Sequence, residues 1–313
     1  MTEEEKNGLT SSSPPISYAD AMSRLRANIE KDKARNERQR RSPIYWIGRL
    51  FSATSGFMQR LVAMLLYPVG DQLWHLTAGH WLHIKATYRS SSTEAATLRF
   101  IKENTTIPVP SVLAHFSWWS VDYLVMTRAS GVPLDWAWSK LSDSQRQEIV
   151  AQLADFVAQM RALPPPGDNR ICSVTGGPIR DSRAYTGPEC GPFSDEAHFN
   201  LQLRNGRPIE DFAQRFPALP SMHRRRHPIV FTHGDIAPRN IMVKGTRVTA
   251  LLDWENAGWY PAHWEYCKAY WASWGPDHSS WSAYFSQFIP RFQEEADVDL
   301  QLWQETWVPS TRV

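Results

Sequence analysis

The sequence predicts an α+β fold in which a small, mostly antiparallel sheet with one helix against it precedes a predominantly helical region. Three observations carry this reading. Short runs of alternating apolar and polar residues fill Gln72 to Met126 and leave room for one helical pattern between them. After Gly131, apolar residues recur every three or four positions. Within Ile229 to Gly258, the runs IMV and TALL flank the turn KGT as a strand-turn-strand unit.

Residues 1–17 read as a flexible tail, rich in Glu, Ser and Pro and too poor in apolar surface to fold alone. Residues 18–70 read as an N-terminal helical extension. From Tyr18 to Arg41 it is strongly basic with a thin apolar stripe, which suits a solvated helix face or, as the sharper reading, peripheral contact with an anionic membrane or a protein. The following YWIGRLFSATSGFMQRLVAMLLY is apolar with breaks at Gly48 and Gly56 and predicts one or two helices capping a core, an interfacial helix being the alternative. Its densest run, Leu61 to Val69, is too short to span a bilayer, and the acidic start MTEEEK lacks the features of a secretion signal.

QLWHLTAG, HWLHIKA and SVLAHFSWWSVDYLVMT predict the strands of the small sheet, with turns at Gly79 and around Ser120 to Asp122. In HWLHIKA the two-residue period puts Leu82 and Ile84 on one face and His83 and Lys85 on the other, so Lys85 does not compete with the core for space. Between these strands, EAATLRFIKENT places Ala95, Leu98 and Ile101 at helical spacing, and Pro108 and Pro110 bar extension of the helix.

Ser142 or Asp143 is placed to cap a helix from Gln145 to Leu163, with Ile149, Leu153, Phe156, Met160 and Leu163 as its core stripe and Pro164 to Pro166 as its stop. Gly167 to Pro228 is long and irregular, with helix-like pieces EAHFNLQLRN and IEDFAQRF. A stretch of this length is expected to be packed by its aromatics and to shape one side of a cleft.

The 313 residues carry 34 Lys and Arg against 32 Asp and Glu, a net charge of +2, so no global field draws the chain to nucleic acid. Trp259, Tyr260, Trp264 and Tyr266 lack the basic neighbours of a base-stacking groove and read as packing residues. The local run HRRRH, His223 to His227, reads as a solvated connection before a strand, with an acidic substrate as its less favoured use. Three widely spaced cysteines form neither a disulfide framework nor a zinc motif and predict a reducing, cytoplasmic compartment.

The chemistry concentrates in IVFTHGDIAPRNIMVKGTRVTALLDWENAG, which holds His233, Asp235, Asn240, Asp253 and Glu255. The hairpin turns the chain back so that Asn240 before its first strand and Asp253 after its second stand side by side, an amide oxygen and a carboxylate for one hard cation. That pair suits Mg²⁺ better than zinc, whose His and Cys ligands are missing at motif spacing. Asp235, on the loop entering the hairpin, is placed to orient a hydroxyl or accept its proton. Singly, each is an ordinary turn residue; the joint spacing is what points to phosphoryl transfer. Glu255 is open to a second metal, its water shell or an Arg such as Arg239.

FTHGDIAPRN, LLDWENAGWYP, IKA, EAATLRFI and YLVMTRASGVPL together resemble small-molecule kinases of the aminoglycoside phosphotransferase and choline kinase type, in a divergent branch often found in fungi. The resemblance runs from about Leu73 to Tyr270 and implies a two-lobed protein-kinase-like fold: residues 71–129 as the nucleotide-binding lobe and hinge, 130–313 as a helical lobe with catalytic loop and metal site. It implies ATP and Mg²⁺ as cofactors and transfer of the γ-phosphoryl group to a small-molecule hydroxyl. By the same resemblance, Asp235 matches the catalytic aspartate, Asn240 and Asp253 the metal ligands, His233 the bracing loop histidine, Lys85 the phosphate-gripping lysine and Glu94 its helix partner. Tyr123 to Ala129 matches the linker between lobes, where backbone around Met126 and Arg128 meets adenine.

The turn LWHLTAGHW has only Gly79 in place of a Gly-rich phosphate cradle, which leaves GTP open beside ATP, with Thr77 and His80 as donors. Asp181, Glu189, Asp195, Glu196, Glu255 and Glu265 are available for an acidic acceptor wall, and Tyr185, Phe193, Phe199, Trp259 and Trp264 for an apolar one. Two other functions compete: a catalytically silent kinase-like scaffold, which the full set of Lys85, Asp235, Asn240 and Asp253 disfavours, and a protein kinase, disfavoured by the missing HRD and APE motifs.

Overall fold

The structure, a computed structural model, describes residues 81–87, 92–118, 121–166, 169–181, 183, 189–272 and 279–306. The tail, the helical extension, the Gly79 turn with Thr77 and His80, and Tyr185 lie outside the described residues. The architecture is mixed: an antiparallel-sheet region followed by a largely helical region, as a two-lobed kinase-like fold requires.

Strand β1 (Leu82–Thr87) is followed by helix α1 (Ser92–Asn104), then by the hairpin of β2 (Val112–Trp118) and β3 (Val121–Thr127). The sheet order is β1-β3-β2, antiparallel throughout, with His83 opposite Met126 and Lys85 opposite Leu124. Helix α1 buries Glu94, Ala95, Thr97, Leu98 and Ile101, one face at helical spacing. Past its end, the Pro108 carbonyl accepts the Leu251 N–H at 2.8 Å, tying this segment to the later strand-turn-strand unit.

Strand β3 runs through Thr127, as the run SVLAHFSWWSVDYLVMT predicts, and paired on both sides by β1 and β2 it takes in most of the Tyr123 to Ala129 segment that the resemblance assigns to the linker. The link to β4 (Val132–Pro133) is therefore only residues 128–131. Gly131 makes that short link possible: its φ is +98°, and a Cβ there would collide with the Val243 carbonyl.

A short helix α2 (Leu134–Trp138) leads to the long helix α3 (Asp143–Ala162). Ser142 caps α3 in a reciprocal box, accepting the Gln145 N–H at 3.3 Å while Gln145 Oε1 accepts the Ser142 N–H at 2.9 Å. All five stripe residues expected of it, Ile149, Leu153, Phe156, Met160 and Leu163, are buried. Among its described residues, the 167–228 stretch has Phe193, Phe199 and Phe212 in the core as expected, joined by Ile171, Cys172, Ile179 and Cys190, and bridges pair Ile171 with Phe193 and Ile179 with Cys190. It contains α4 (Glu196–Leu203), capped by the Asp195 side chain, and the single turns α5 (Glu210–Ala213) and α6 (Leu219–Met222).

Two small β units then carry the site. Strand β5 (Ile229–Thr232) pairs with β8 (Gly258–Pro261), and β6 (Ile241–Lys244) pairs with β7 (Arg247–Leu251), with β4 on the outer side of β6. Helices α7 (Trp264–Ala272), α8 (Ser279–Phe288) and α9 (Gln293–Thr306) complete the chain; α8 packs on α3, and α9 on α7. Trp254, Tyr260, Trp264 and Tyr266 are almost wholly buried, so these aromatics pack the lobe. Burial of Phe199, Phe212 and Phe231 contributes roughly 1.5–3 kcal/mol each. Cys172, Cys190 and Cys267 are free and buried. Among the described residues, no helix is long and apolar enough to cross a membrane.

Candidate active site

The loop after β5 begins with His233, which is fully buried. Its Nε2 lies 3.0 Å from the Leu252 carbonyl and its Nδ1 accepts the Asp235 N–H at 3.2 Å, which assigns the proton to Nε2 and makes the ring neutral. Burial lowers its basicity further, against the pull of Asp235 and Asp253. His233 is thus a brace between the loop after β5 and the end of the hairpin, its Nε2 proton engaged by the Leu252 carbonyl.

Gly234 adopts φ +78°, and a Cβ there would come within 3.1 Å of the Asn256 carbonyl oxygen. Glu265, buried in the first turn of α7, accepts the His233 N–H at 2.6 Å and the Gly234 N–H at 3.0 Å. Burial pushes its carboxyl up to about 7, against the two N–H groups that favour the charged form. Glu265 therefore lies under the loop and fixes its backbone; it is not part of an acceptor wall.

Asp235 is held from two sides. Arg239 Nη2 donates to both its oxygens at 2.7 Å, and Asn240 Nδ2 donates to its Oδ2 at 2.8 Å and to its backbone carbonyl at 3.0 Å. With its nitrogen so engaged, Asn240 turns its Oδ1 elsewhere. A 3₁₀ turn (Pro238–Asn240) delivers Asn240 to the start of β6, and Ile241 pairs with Leu251, so Asn240 stands beside Leu252 and Asp253. The Leu252 N–H to Asn240 carbonyl bond of 2.8 Å closes that end of the ladder.

Asp253 sits in the left-handed region at φ 64°, ψ 61°. Such a conformation costs a non-Gly residue on the order of 1–3 kcal/mol and persists where the surroundings dictate it. Here it turns the carboxylate back toward β1, and Asp253 Oδ1 accepts from Lys85 Nζ at 2.7 Å.

Lys85 gathers three carboxylates: Glu94 at 2.9 Å, Asp253 at 2.7 Å and Glu255 at 3.4 Å. Burial opposes its charge, but Glu94 and Asp253 outweigh that and hold the ammonium above the ordinary lysine value. For Glu94, burial raises the carboxyl above its ordinary value while Lys85, 2.9 Å away, pulls it back. Glu255 also accepts from Arg180 Nη1 at 3.2 Å, and Arg180 lies 3.5 Å from Glu189, so Glu255 is paired with Arg180 and Lys85 while Arg239 goes to Asp235.

His83, Lys85, Glu94, Leu98, Pro110, Met126, Asn240, Leu252 and Asp253 line one cavity of about 270 Å³. Lys85, read from one strand, and Asn240 and Asp253, read from one hairpin far along the chain, thus share one space. Leu98, Pro110, Met126 and Leu252 give it an apolar side. The Arg128 N–H, expected near an adenine edge, is bonded to the Trp81 carbonyl at 2.8 Å.

Three parts of the site escape a reading by spacing: Arg239, Arg180 and Glu265. Arg239 alone had a local signal, because a residue four beyond Asp235 on a tight turn is within side-chain reach. Among the described residues, most candidates for either acceptor wall are engaged elsewhere. Asp181 is buried against Lys268 and Trp264, Glu196 against His227, and Asp195 is spent as a helix cap; Phe193, Phe199, Trp259 and Trp264 are core.

A neutral amide oxygen, a carboxylate and a paired lysine around one cavity between a small sheet and a helical region define a phosphotransferase of the kinase-like class. The model of the phosphotransferase enzyme family matches residues 82–297, and the chain belongs to that family. It is a Mg²⁺-dependent enzyme that transfers phosphate from ATP to a small-molecule hydroxyl.

The chain is similar in fold to a thermostable mutant of aminoglycoside phosphotransferase APH(4)-Ia in ternary complex with AMP-PNP and hygromycin B, at 16% identity over 73% of this chain and 80% of that one, TM-score 0.51. Aminoglycoside phosphotransferase APH(4)-Ia itself gives 15% identity, 72% and 76% coverage and a TM-score of 0.50. APH(3'')-Id from Streptomyces rimosus, in complex with ADP and streptomycin, gives 16%, 74%, 89% and 0.46. No curated protein matches the chain.

Proposed function

We propose that Asp235 orients the acceptor hydroxyl and takes its proton, that Asn240 Oδ1 and Asp253 hold Mg²⁺, and that Lys85, positioned by Glu94, binds the phosphates. The observation carrying this is the shared cavity of Lys85, Asn240 and Asp253, with Asp235 bonded to Asn240 at its edge. The donor set fits the cofactors: hard oxygens suit Mg²⁺, and the apolar side at Leu98, Pro110, Met126 and Leu252 suits a nucleobase. Bound Mg²⁺ supplies charge neutralisation on the phosphates. The protein supplies alignment: Arg239 and Asn240 fix the Asp235 carboxylate so that one oxygen faces an incoming hydroxyl, and His233 and Glu265 keep the loop that carries it in register.

The carboxylates at the cleft are paired, Asp235 with Arg239 and Glu255 with Arg180 and Lys85, which supports a neutral hydroxyl metabolite over a polycationic sugar as acceptor. Three buried free thiols support a reducing compartment, and we place the reaction in the cytoplasm.

The test is a screen of metabolite hydroxyls with labelled ATP and Mg²⁺, run beside Asp235→Asn. Transfer to one acceptor class by the wild type and its loss in the variant, with nucleotide binding retained, is the expected result. No transfer at all, with equal background in both proteins, would favour a silent binding module.

A further inference from the structure

At the far end of the β5–β8 ladder from the phosphotransfer site, three side chains converge from three separate segments. His227 stands two residues before β5 and His263 two residues after β8. The pairing of Ile229 with Pro261 brings them to one end, ring centroids 4.5 Å apart. Thr232 pairs with Gly258 at the opposite end, and from there the chain runs on to His233 and Asp235 and back to Asn256 and Asp253. Four strand residues, roughly 13 Å of extended backbone, separate the two ends. The third side chain is Glu196, in the first turn of α4.

The Glu196 Oε1 atom lies 2.7 Å from His227 Nδ1 and 3.7 Å from His263 Nδ1, and one donor atom from each residue falls within 4.8 Å of the others. Donors around a tetrahedral zinc at Zn–N and Zn–O distances near 2.1 Å are about 3.4 Å apart. The cluster brackets that spacing, the shorter edge being one that opens when an ion replaces the shared proton.

Two further observations point to a ligand. His263 is 7% exposed, yet its Nδ1 has no hydrogen-bond partner. A buried ring nitrogen left without a partner is disfavoured. A proton shared by Glu196 and His227 accounts for that pair and leaves His263 unexplained. In addition, His227 Nε2 lies 3.5 Å from Glu295 Oε1, and Glu295 is itself held by Arg225 Nη1 at 2.7 Å. A carboxylate behind the distal ring nitrogen is the arrangement that orients metal-binding histidines. Glu196 Oε2 accepts the His227 backbone N–H at 2.7 Å, which fixes its carboxylate plane.

We propose that Glu196, His227 and His263 form a second cation site, separate from the phosphotransfer centre, that takes a zinc-class divalent ion. Two imidazole nitrogens and one carboxylate oxygen suit zinc or cobalt, and Mg²⁺ poorly. A fourth position is left for water. The ion would join α4 and the 167–228 segment to the β5–β8 corner, ligands at 196, 227 and 263 that no local motif could reveal.

The test uses the full chain, stripped with a chelator and titrated with Co²⁺ in excess Mg²⁺. The expected result is one equivalent bound, with the intense visible absorption of four-coordinate cobalt, displaced by Zn²⁺, and a Zn²⁺-dependent rise in melting temperature. His263→Gln loses the cobalt spectrum and the thermal shift and keeps Mg²⁺-ATP binding. Absence of cobalt uptake by the wild type, or equal uptake by His263→Gln, overturns the proposal. If His263→Gln does not fold, Glu295→Gln decides: it keeps all three ligands, and a 10- to 100-fold weaker affinity supports the site whereas an unchanged affinity overturns it.

Discussion

Lys85 Nζ and Asp253 Oδ1 meet at 2.7 Å across 168 residues of sequence, joining β1 to the second residue after the β6–β7 hairpin. The contact explains two local oddities together. Lys85 stays fully charged although mostly enclosed, and Asp253 holds a left-handed backbone that an ordinary turn would not require. In the proposed phosphate-binding role, the same ammonium would keep Glu94 and share its remaining donors with the phosphates.

Replacing Lys85 by Met keeps the stem and removes the charge, leaving Glu94, Asp253 and Glu255 without their common partner. Turnover should fall by about 10²–10³-fold, the range for removing one donor aimed at developing charge. Steady-state kinetics with ATP checks this; a variant within a few-fold of wild type would remove Lys85 from the mechanism.

Asp253→Asn and Asp253→Ala separate chemistry from backbone strain. Both lose the metal carboxylate and should lose Mg²⁺-dependent nucleotide binding in calorimetry. Asn tolerates φ 64° and Ala does not, so Asp253→Ala should be less stable than Asp253→Asn by about 1 kcal/mol in urea. Equal stability would show that the backbone relaxes freely.

Arg239→Ala frees one side of Asp235 without touching the cavity lining. Loss of that clamp should lower kcat by on the order of 10- to 100-fold through misplacement of the carboxylate, with KM for ATP little changed. A rise in KM for ATP with kcat preserved would place Arg239 on the nucleotide side.

The elements with strong local periodicity were legible in the chain before its coordinates. The α3 stripe and its Ser142 cap, the α1 face, and the β6–β7 hairpin all follow from spacing because their partners are near in sequence. The hairpin also fixed which ends of two strands meet, and so the proximity of Asn240 and Asp253. What spacing could not supply is any contact between distant segments. Arg180 reaches Glu255 over 75 residues and Glu265 reaches His233 over 32, and neither has a local pattern. The same limit made Asp181 and Glu196 look like acceptor residues, because burial with a partner cannot be told from exposure by residue type. Strand β3 ends at Thr127, where the run SVLAHFSWWSVDYLVMT stops, so its extent too was legible locally, whereas its pairing on both sides was not.

Glu265 gives the clearest pH dependence. An unfolded glutamate loses its proton near 4.5, whereas burial under the catalytic loop holds the proton on Glu265 until about 7. Between these values the folded state binds more protons than the unfolded one, so stability falls as pH rises. The penalty is absent below 4.5 and fully present above 7, and a shift of this size corresponds to about 3 kcal/mol. Glu265→Gln removes the titration. Urea unfolding of both proteins at about pH 5 and pH 8 should show the wild type losing up to about 3 kcal/mol relative to the variant over that interval. The variant also places an amide –NH₂ against one of the two loop N–H groups, so its kcat should fall while KM for ATP stays near wild type. A stability difference independent of pH would mean that the N–H groups of His233 and Gly234 outweigh burial and that Glu265 is charged throughout.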